Sequence, residues 1–333
     1  AQSYMKQSLE RLGFRQLHFA DHAIAAKEQC MAEQFDLIVC SFNLSKHQDG
    51  YQLYEELRVK QLIKNSTAFI FISAETSGAL VHSVLELQPD DFLVKPFTVQ
   101  ELKTRIERIL KRKNELQSIY TLVDDGNDSK AIKVIDAALN KKNNIYSPIL
   151  LRLKGDALLR LNRSEEAKDF FTSVLDIQKF AWAKVGLVEA LIANNEHILA
   201  QRMLKTMLER HETRLVALDL LGRLEIKLNQ FELAQDFLSQ AVDIAPRNIQ
   251  RQKSLSNVSL INHDYEKSYL TQKDIASYAR HSIHDSPDIY LNAARAGIDF
   301  ALTTDQTDQI QRISRQTNKY INDLKKQFPN NAN

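Results

Sequence analysis

Three short stretches carry the side chains most suited to chemistry: Ser41-Phe42-Asn43, Ser73-Ala74 and Lys95-Pro96-Phe97. They put two hydroxyls, an amide and an ammonium 32 and then 22 residues apart, from Ser41 to Ser73 to Lys95. None is a carboxylate. The set therefore cannot itself form an acyl phosphate, and it offers a hard divalent cation no negative oxygen. No other part of the chain competes as a reactive centre. There is no nucleophile elbow, P-loop or GxGxxG, and only eight glycines, mostly at turns. No HExxH or clustered His/Cys spacing suggests zinc.

What positions the three stretches is an alternation of short β-rich runs and amphipathic helical runs. The periodicity predicts helices over 3–13, 21–33, 51–63, 76–87 and 98–116, with strands over Gln16–Phe19, Leu37–Cys40, Ala68–Ser73 and Phe92–Val94. Such alternation means a parallel sheet with helices on both faces, and the continuous apolar runs at 37–40 and 69–72 suit strands covered on both sides. Ser41, Ser73 and Lys95 all fall at the carboxyl ends of strands, where open sheets of this kind gather their working residues.

This constellation resembles the receiver domain of response regulators over residues 1–115. The marks are Lys95-Pro96-Phe97 after the last strand, Ser73-Ala74 after the one before, and Asn43-Leu44 leading to Gly50. The resemblance implies a flavodoxin-like lobe whose phosphate acceptor, an Asp in the family, is replaced by Ser41, so phosphotransfer from a histidine kinase should fail. Asn43, Ser73 and Lys95 would complete the degenerate pocket, and Phe92 would stand at the family's switch aromatic. Asp36 and Asp49 lie too far along the chain to substitute as acceptor. The family's first strand, which ends in an acidic pair, is missing from the given chain, leaving a gap expected between the second and third strands. The opening Ala1-Gln2, already inside a helical pattern, reads as a chain whose beginning lies further upstream. No cofactor is expected, Mg²⁺ being usable only with that acidic pair and an acceptor Asp.

From residue 116 the β-rich runs stop and a repeat begins. Alanines recur at Ala131, Ala167, Ala200 and Ala234, in steps of 36, 33 and 34, each opening a helix after a polar turn. A period near 34 resembles the tetratricopeptide repeat. The best copy spans 215–248, with Leu221-Gly222, Ala234, Leu238, Ala241 and Pro246; Gly155, Ala167 and Phe171 mark another. The 115–144 copy lacks a well-marked first helix, and residues 249–333 read as degenerate repeats or a cap, with Ser286-Pro287 opening a helix. The resemblance implies an all-α array whose first helices line a surface that grips a peptide or helix. Its outward positions would be Arg152, Asp156, Arg160, Glu189, Asp219, Arg223 and Lys227.

The bulk properties set limits. Forty-four basic residues against 42 acidic ones, a net charge of +2, supply no field for nucleic acid or an anionic membrane. The basic tract Arg105–Lys113 carries interspersed glutamate and lacks interleaved aromatics, so it reads as a solvated linker helix running stiffly into the repeats. Cys30 and Cys40 lack CxxC spacing and read as buried thiols of a reducing cytosol. No apolar run spans a bilayer. The expectation is a cytoplasmic, non-enzymatic adaptor of two-component signalling whose partners are a sensor kinase or phosphotransfer protein and a repeat-bound peptide or helix. Two alternatives remain at this point: a phosphorylation-switched regulator in which Ser41 stands for an original Asp, and an assembly scaffold, a homodimer in one version.

Overall fold

The computed structural model describes residues 2–44, 48–75, 77–141 and 144–329. It divides into two compact units, residues 1–194 and 195–333, parted inside the repeat region.

The first unit opens with α1 (Gln2–Arg11), α2 (Ala23–Ala32), β1 (Leu37–Ser41), α3 (Gly50–Val59), β2 (Ala68–Ser73), α4 (Gly78–Glu86), β3 (Asp91–Val94) and α5 (Val99–Glu115). The three strands form a parallel sheet in the order β1-β2-β3, with Cys40 opposite Phe71 and Phe71 opposite Phe92. All six residues of β2 are buried, as its unbroken apolar run requires of a strand covered on both faces. On one face Tyr54 and Leu57 of α3 and Val84 of α4 pack against Phe69 and Phe71; on the other Leu9 of α1 and Leu102, Ile106 and Ile109 of α5 pack against Ile70 and Ile72. The spacing of the α5 residues, i, i+4, i+7, keeps them on one helix face.

The predicted strand Gln16–Phe19 does not form. Among the described residues this stretch runs without helix or ladder, because no strand lies beside it to accept its backbone groups. The gap expected between it and β1 is a cavity of about 1220 Å³ lined by Phe14–Ala20 on one side and Leu37–Ser41 on the other. The basic tract also has partners: Arg105 and Arg108 pair with Asp91 at 2.7 and 3.2 Å, and Arg112 and Lys113 pair with Asp90. These four charges are thus paired with the start of β3, while Arg105 and Arg108 stay 41% and 70% exposed and Lys111 is exposed, as a solvated helix requires.

Nor does α5 run straight on. It stops at Leu116 (φ −100°, ψ 9°) without Gly or Pro, and α6 (Gln117–Asp124) begins at once. Leu116 is buried with Ile119, Tyr120, Ile135 and Leu150, so apolar burial sets the break. Then come α7 (Asp128–Leu139), α8 (Ser147–Arg160), α9 (Ser164–Ile177) and α10 (Ala181–Ala193); α6 is the short first helix of the poorly marked copy. Phe171 of α9 sits fully buried between two glycines, Gly155 of α8 and Gly186 of α10. A Cβ on either would stand 2.4 or 2.2 Å from its ring.

The second unit holds α11 (His197–Leu208), α12 (His211–Lys227), α13 (Phe231–Ile244), α14 (Ile249–Ile261), α15 (Tyr265–Ala279), α16 (Pro287–Thr303) and α17 (Thr307–Gln327). Small residues again set the helix approach, Gly222 against Leu238 and Gly297 against Tyr269 and Thr317. The repeat is written in the backbone as well. A left-handed residue ends a helix at Gly126, Asn162, Asn195, Asn229 and His263, all with φ between 55° and 69°. In four of these turns the next N–H bonds back to the carbonyl five residues earlier, as in Asn127 to Leu122 and Asp264 to Ser259, both 2.8 Å. The period thus persists to residue 263, past the point where side-chain marks fade.

Candidate functional site

The carboxyl ends of the three strands bring Ser41, Ser73 and Lys95 to one edge of the sheet. Ser41 closes β1. The next residue, Phe42, is 1% exposed and donates its N–H to Ile72 O at 2.9 Å, which fixes where the chain leaves the sheet. The chain then returns under this edge: Gly50 N donates to Phe42 O at 2.7 Å, and a Cβ at Gly50 would stand 2.6 Å from Ser41 O. Only glycine allows that approach. The Ser41 hydroxyl donates to Asn43 O at 3.2 Å, a bond within its own loop. Residues 45–47 of the Asn43-to-Gly50 stretch lie outside the described residues.

Ser73 is buried and its hydroxyl accepts from Glu75 N at 2.9 Å, shaping the turn toward α4. Lys95 N donates to Ser73 O at 2.8 Å, and the Lys95-Pro96 bond is cis. The Lys95 side chain is exposed and makes no ion pair among the described residues. Phe92 is half-buried beside Phe71, Leu80 and Val84. The cavity beside β1 reaches this edge, taking in Ser41, Asn43 and Lys95. Burial in the apolar core pushes the Cys40 thiol up to about 12, with Asp49 and Cys30 adding to the effect.

Two hydroxyls, an amide and a cation make a poor donor set for Mg²⁺, which takes oxygen ligands including carboxylates. The nearest carboxylates along the chain are committed elsewhere or distant. Asp49 caps α3, accepting from Gln52 N at 2.9 Å, and Asp36 precedes β1 at the opposite end of the strand. Among the described residues no group of three or more His, Cys, Asp or Glu side chains is gathered to hold a metal.

The seven outward repeat positions have varied surroundings. Arg160 donates twice to the nearly buried Asp128, at 2.7 and 3.0 Å, joining α8 to α7. Arg152 donates to Gln88 Oε1 at 2.5 Å and lies 3.9 Å from Asp156, whose carboxyl is raised by burial against the pull of Arg152 and Arg160. Glu189 is half-buried on α10. Asp219 accepts from Arg251 Nε at 3.0 Å, and Lys227 donates to Asn195 at 3.0 Å. Arg223 is exposed and has no hydrogen-bond or ion-pair partner among the described residues. Sequence reasoning missed Arg251, whose guanidinium is 2% exposed and also donates to Ala245 O at 3.1 Å. Its helical neighbours look like those of a surface arginine, and only the 32-residue offset to Asp219, close to one repeat, hinted at the pair.

Residues 1–107 match the response regulator receiver domain model; residues 113–183 match the N-terminal TPR repeats region of Psidin, and residues 216–248 match the tetratricopeptide repeat model. Residues 1–107 thus carry a receiver domain, and tetratricopeptide repeats follow it in the same chain. Among characterised relatives, the transcriptional activator protein IrlR of Burkholderia pseudomallei is 29% identical over 165 residues, covering 50% of this chain and 66%, just under two thirds, of IrlR. A probable chemotaxis protein CheY of Rhizobium etli is 29% identical over 105 residues, 32% of this chain and 80% of that protein. The C-terminal part of a TPR repeat-containing protein from Cytophaga hutchinsonii aligns with 63% of this chain and 78% of its own at 17% identity, with a TM-score of 0.47. No described helix is long and apolar enough to cross a membrane.

Proposed function

We propose that the protein is a non-catalytic adaptor of two-component signalling, working in the cytoplasm through two protein-binding parts. The receiver, residues 1–115, docks a sensor kinase or phosphotransfer protein without accepting phosphate, and the repeats, residues 116–248 with 249–333 as degenerate repeats or cap, hold a charged peptide or helix. The protein titrates or inhibits the relay rather than passing it on.

The observation that carries the reading is Ser41. At the end of β1, where the family places its acceptor carboxylate, the chain presents a hydroxyl turned into its own loop toward Asn43 O. A hydroxyl there forms no acyl phosphate, and with Ser73 and Lys95 it makes a pocket that binds no Mg²⁺ by itself. On the repeat side, exposed Arg223 on α12 supports contact with an acidic partner.

The test is incubation of the full-length protein, and of its Ser41→Asp variant, with acetyl phosphate or beryllium fluoride and Mg²⁺, read by intact mass and Trp182 fluorescence. The expected outcome is no phosphoryl adduct on the native protein, together with reduced phosphotransfer from a histidine kinase of the same organism when the protein is added. An adduct on the native protein would overturn the reading in favour of a phosphorylation switch.

A further inference from the structure

The amino ends of the strands, opposite the Ser41 pocket, meet the first repeat in a closed polar cluster. Asn65, in the loop before β2, uses all of its polar atoms there. Its N–H donates to the Asp124 carboxylate at 3.0 and 3.1 Å and its amide nitrogen to the same carboxylate at 2.5 Å. Its amide oxygen accepts from Arg58 of α3 at 2.5 Å, and its carbonyl accepts from Lys113 Nζ at 2.7 Å. Lys113, 11% exposed, also reaches Asp90 at 2.9 Å and lies over the Tyr120 ring of α6 at 5.0 Å. Asp90 in turn accepts from Phe69 N of β2 at 2.9 Å. A further tie comes from α8, where Arg152 donates to Gln88 in the turn after α4.

The position of Asp124 is informative because it is the last residue of α6. A carboxylate at a helix C-terminus is opposed by the helix dipole, so α6 alone would gain from losing it. What compensates is Asn65 of the receiver. Half-buried, charge-assisted bonds of this kind are costly to break singly, because each removal leaves partners unsatisfied.

We propose that Asn65, Asp90, Lys113 and Asp124 are a latch that makes the receiver and the first repeat one co-operative body, fastened at the amino edge of the sheet so that the Ser41 edge stays open to a partner. The proposal goes beyond the adaptor reading and stands whether or not Ser41 takes phosphate. Its consequence is mechanical: a partner seated at the carboxyl edge acts on a sheet that is bound directly to α6 and α8, with no free linker to absorb the effect.

Hydrogen exchange on the full chain tests it. Asp124→Ala should lower protection of the β2 and β3 amides and of the α6 amides together, on the order of tenfold. Thr121→Ala, on the exposed side of α6, should leave β2 and β3 unchanged. The exchanged pair Asn65→Asp with Asp124→Asn keeps a donor facing an acceptor and should restore at least half of the logarithmic loss. If Asp124→Ala does not fold, Lys113→Met is read on the same amides, with the same joint loss expected. The latch is overturned if the available single variant alters α6 alone, if α6 gains protection as the dipole argument predicts for a free helix, or if the exchanged pair recovers nothing.

Discussion

Replacing Gly186 by alanine tests the packing of the repeats at its tightest point. The new Cβ would lie 2.2, 2.5 and 2.6 Å from three ring carbons of Phe171, whereas carbon atoms rest about 3.5–4.0 Å apart. The ring would have to retreat by more than about 1 Å, the difference between these separations. On its other side stands Gly155, whose own Cβ position is 2.4 Å from the ring, so the retreat is blocked by backbone. Overpacking of this kind costs about 1–3 kcal/mol, and the blocked retreat puts Gly186→Ala at the upper end. Alanine returns about 1 kcal/mol through helix propensity, leaving a net loss of about 2 kcal/mol. Trp182, the chain's one tryptophan, sits a turn before Gly186 with its ring centroid 6.4 Å from that of Phe171, so its fluorescence in urea reports this site directly. Adding Phe171→Leu removes the clash, and the double variant should be more stable than the two single losses added together. A Gly186→Ala protein as stable as the native one, or more stable, would refute the packing argument, because propensity alone would then have decided the outcome.

Four further outcomes follow from the same structure. His263 occupies a left-handed turn that asparagine fills at positions 162, 195 and 229, so His263→Gly should stabilise the second unit by about 0.5–1 kcal/mol in thermal melts. Asp219→Ala leaves the buried Arg251 guanidinium without its carboxylate and should cost about 3 kcal/mol, a loss that Arg251→Met in the same chain should partly repair in urea titrations. Because burial lifts the Cys40 thiol to about 12, the native state holds that proton more tightly than the unfolded chain. Its stabilising effect is complete below about pH 8.5 and fades at about 1.4 kcal/mol per pH unit as pH rises toward the native value, so Cys40→Ala should flatten the fall of the urea midpoint between about pH 9 and 10.5. Cys40 should likewise resist alkylation at about pH 8 until urea unfolds the receiver, as mass spectrometry of labelled peptides would show.

How far these features can be read from the residues depends on whether their cause is local. β2 is legible because six consecutive residues must all be buried, and Leu102, Ile106 and Ile109 announce the inner face of α5 by spacing alone. The repeats are legible twice, through alanines at close helix contacts and through asparagines at left-handed turns, since both needs recur with the period. Gln16–Phe19 misled because strand formation needs a neighbour, which composition cannot certify. The break at Leu116 carries no Gly or Pro because burial of that leucine, rather than backbone chemistry, sets it. At the candidate site the sequence placed Ser41, Ser73 and Lys95 at one edge correctly, for strand ends are local. It could not show that Arg160 and Asp219 are engaged within the fold, because a charge in a sequence does not name its partner.

The two edges of the receiver sheet differ in a way that bears on both proposals. At the amino edge Arg105, Arg108, Arg112 and Lys113 are all paired with Asp90 or Asp91, and Asn65 is fully bonded. Each of those four cations already has a carboxylate partner within the fold. At the carboxyl edge Lys95 stands exposed beside two hydroxyls that are turned to their own loops. A carboxylate at position 41 would offer that ammonium an internal partner, and serine does not. A docking protein that brings an acidic side chain or a phosphoryl group to this edge therefore meets a cation with no ion-pair partner among the described residues, and on the adaptor reading serine at position 41 should favour such binding.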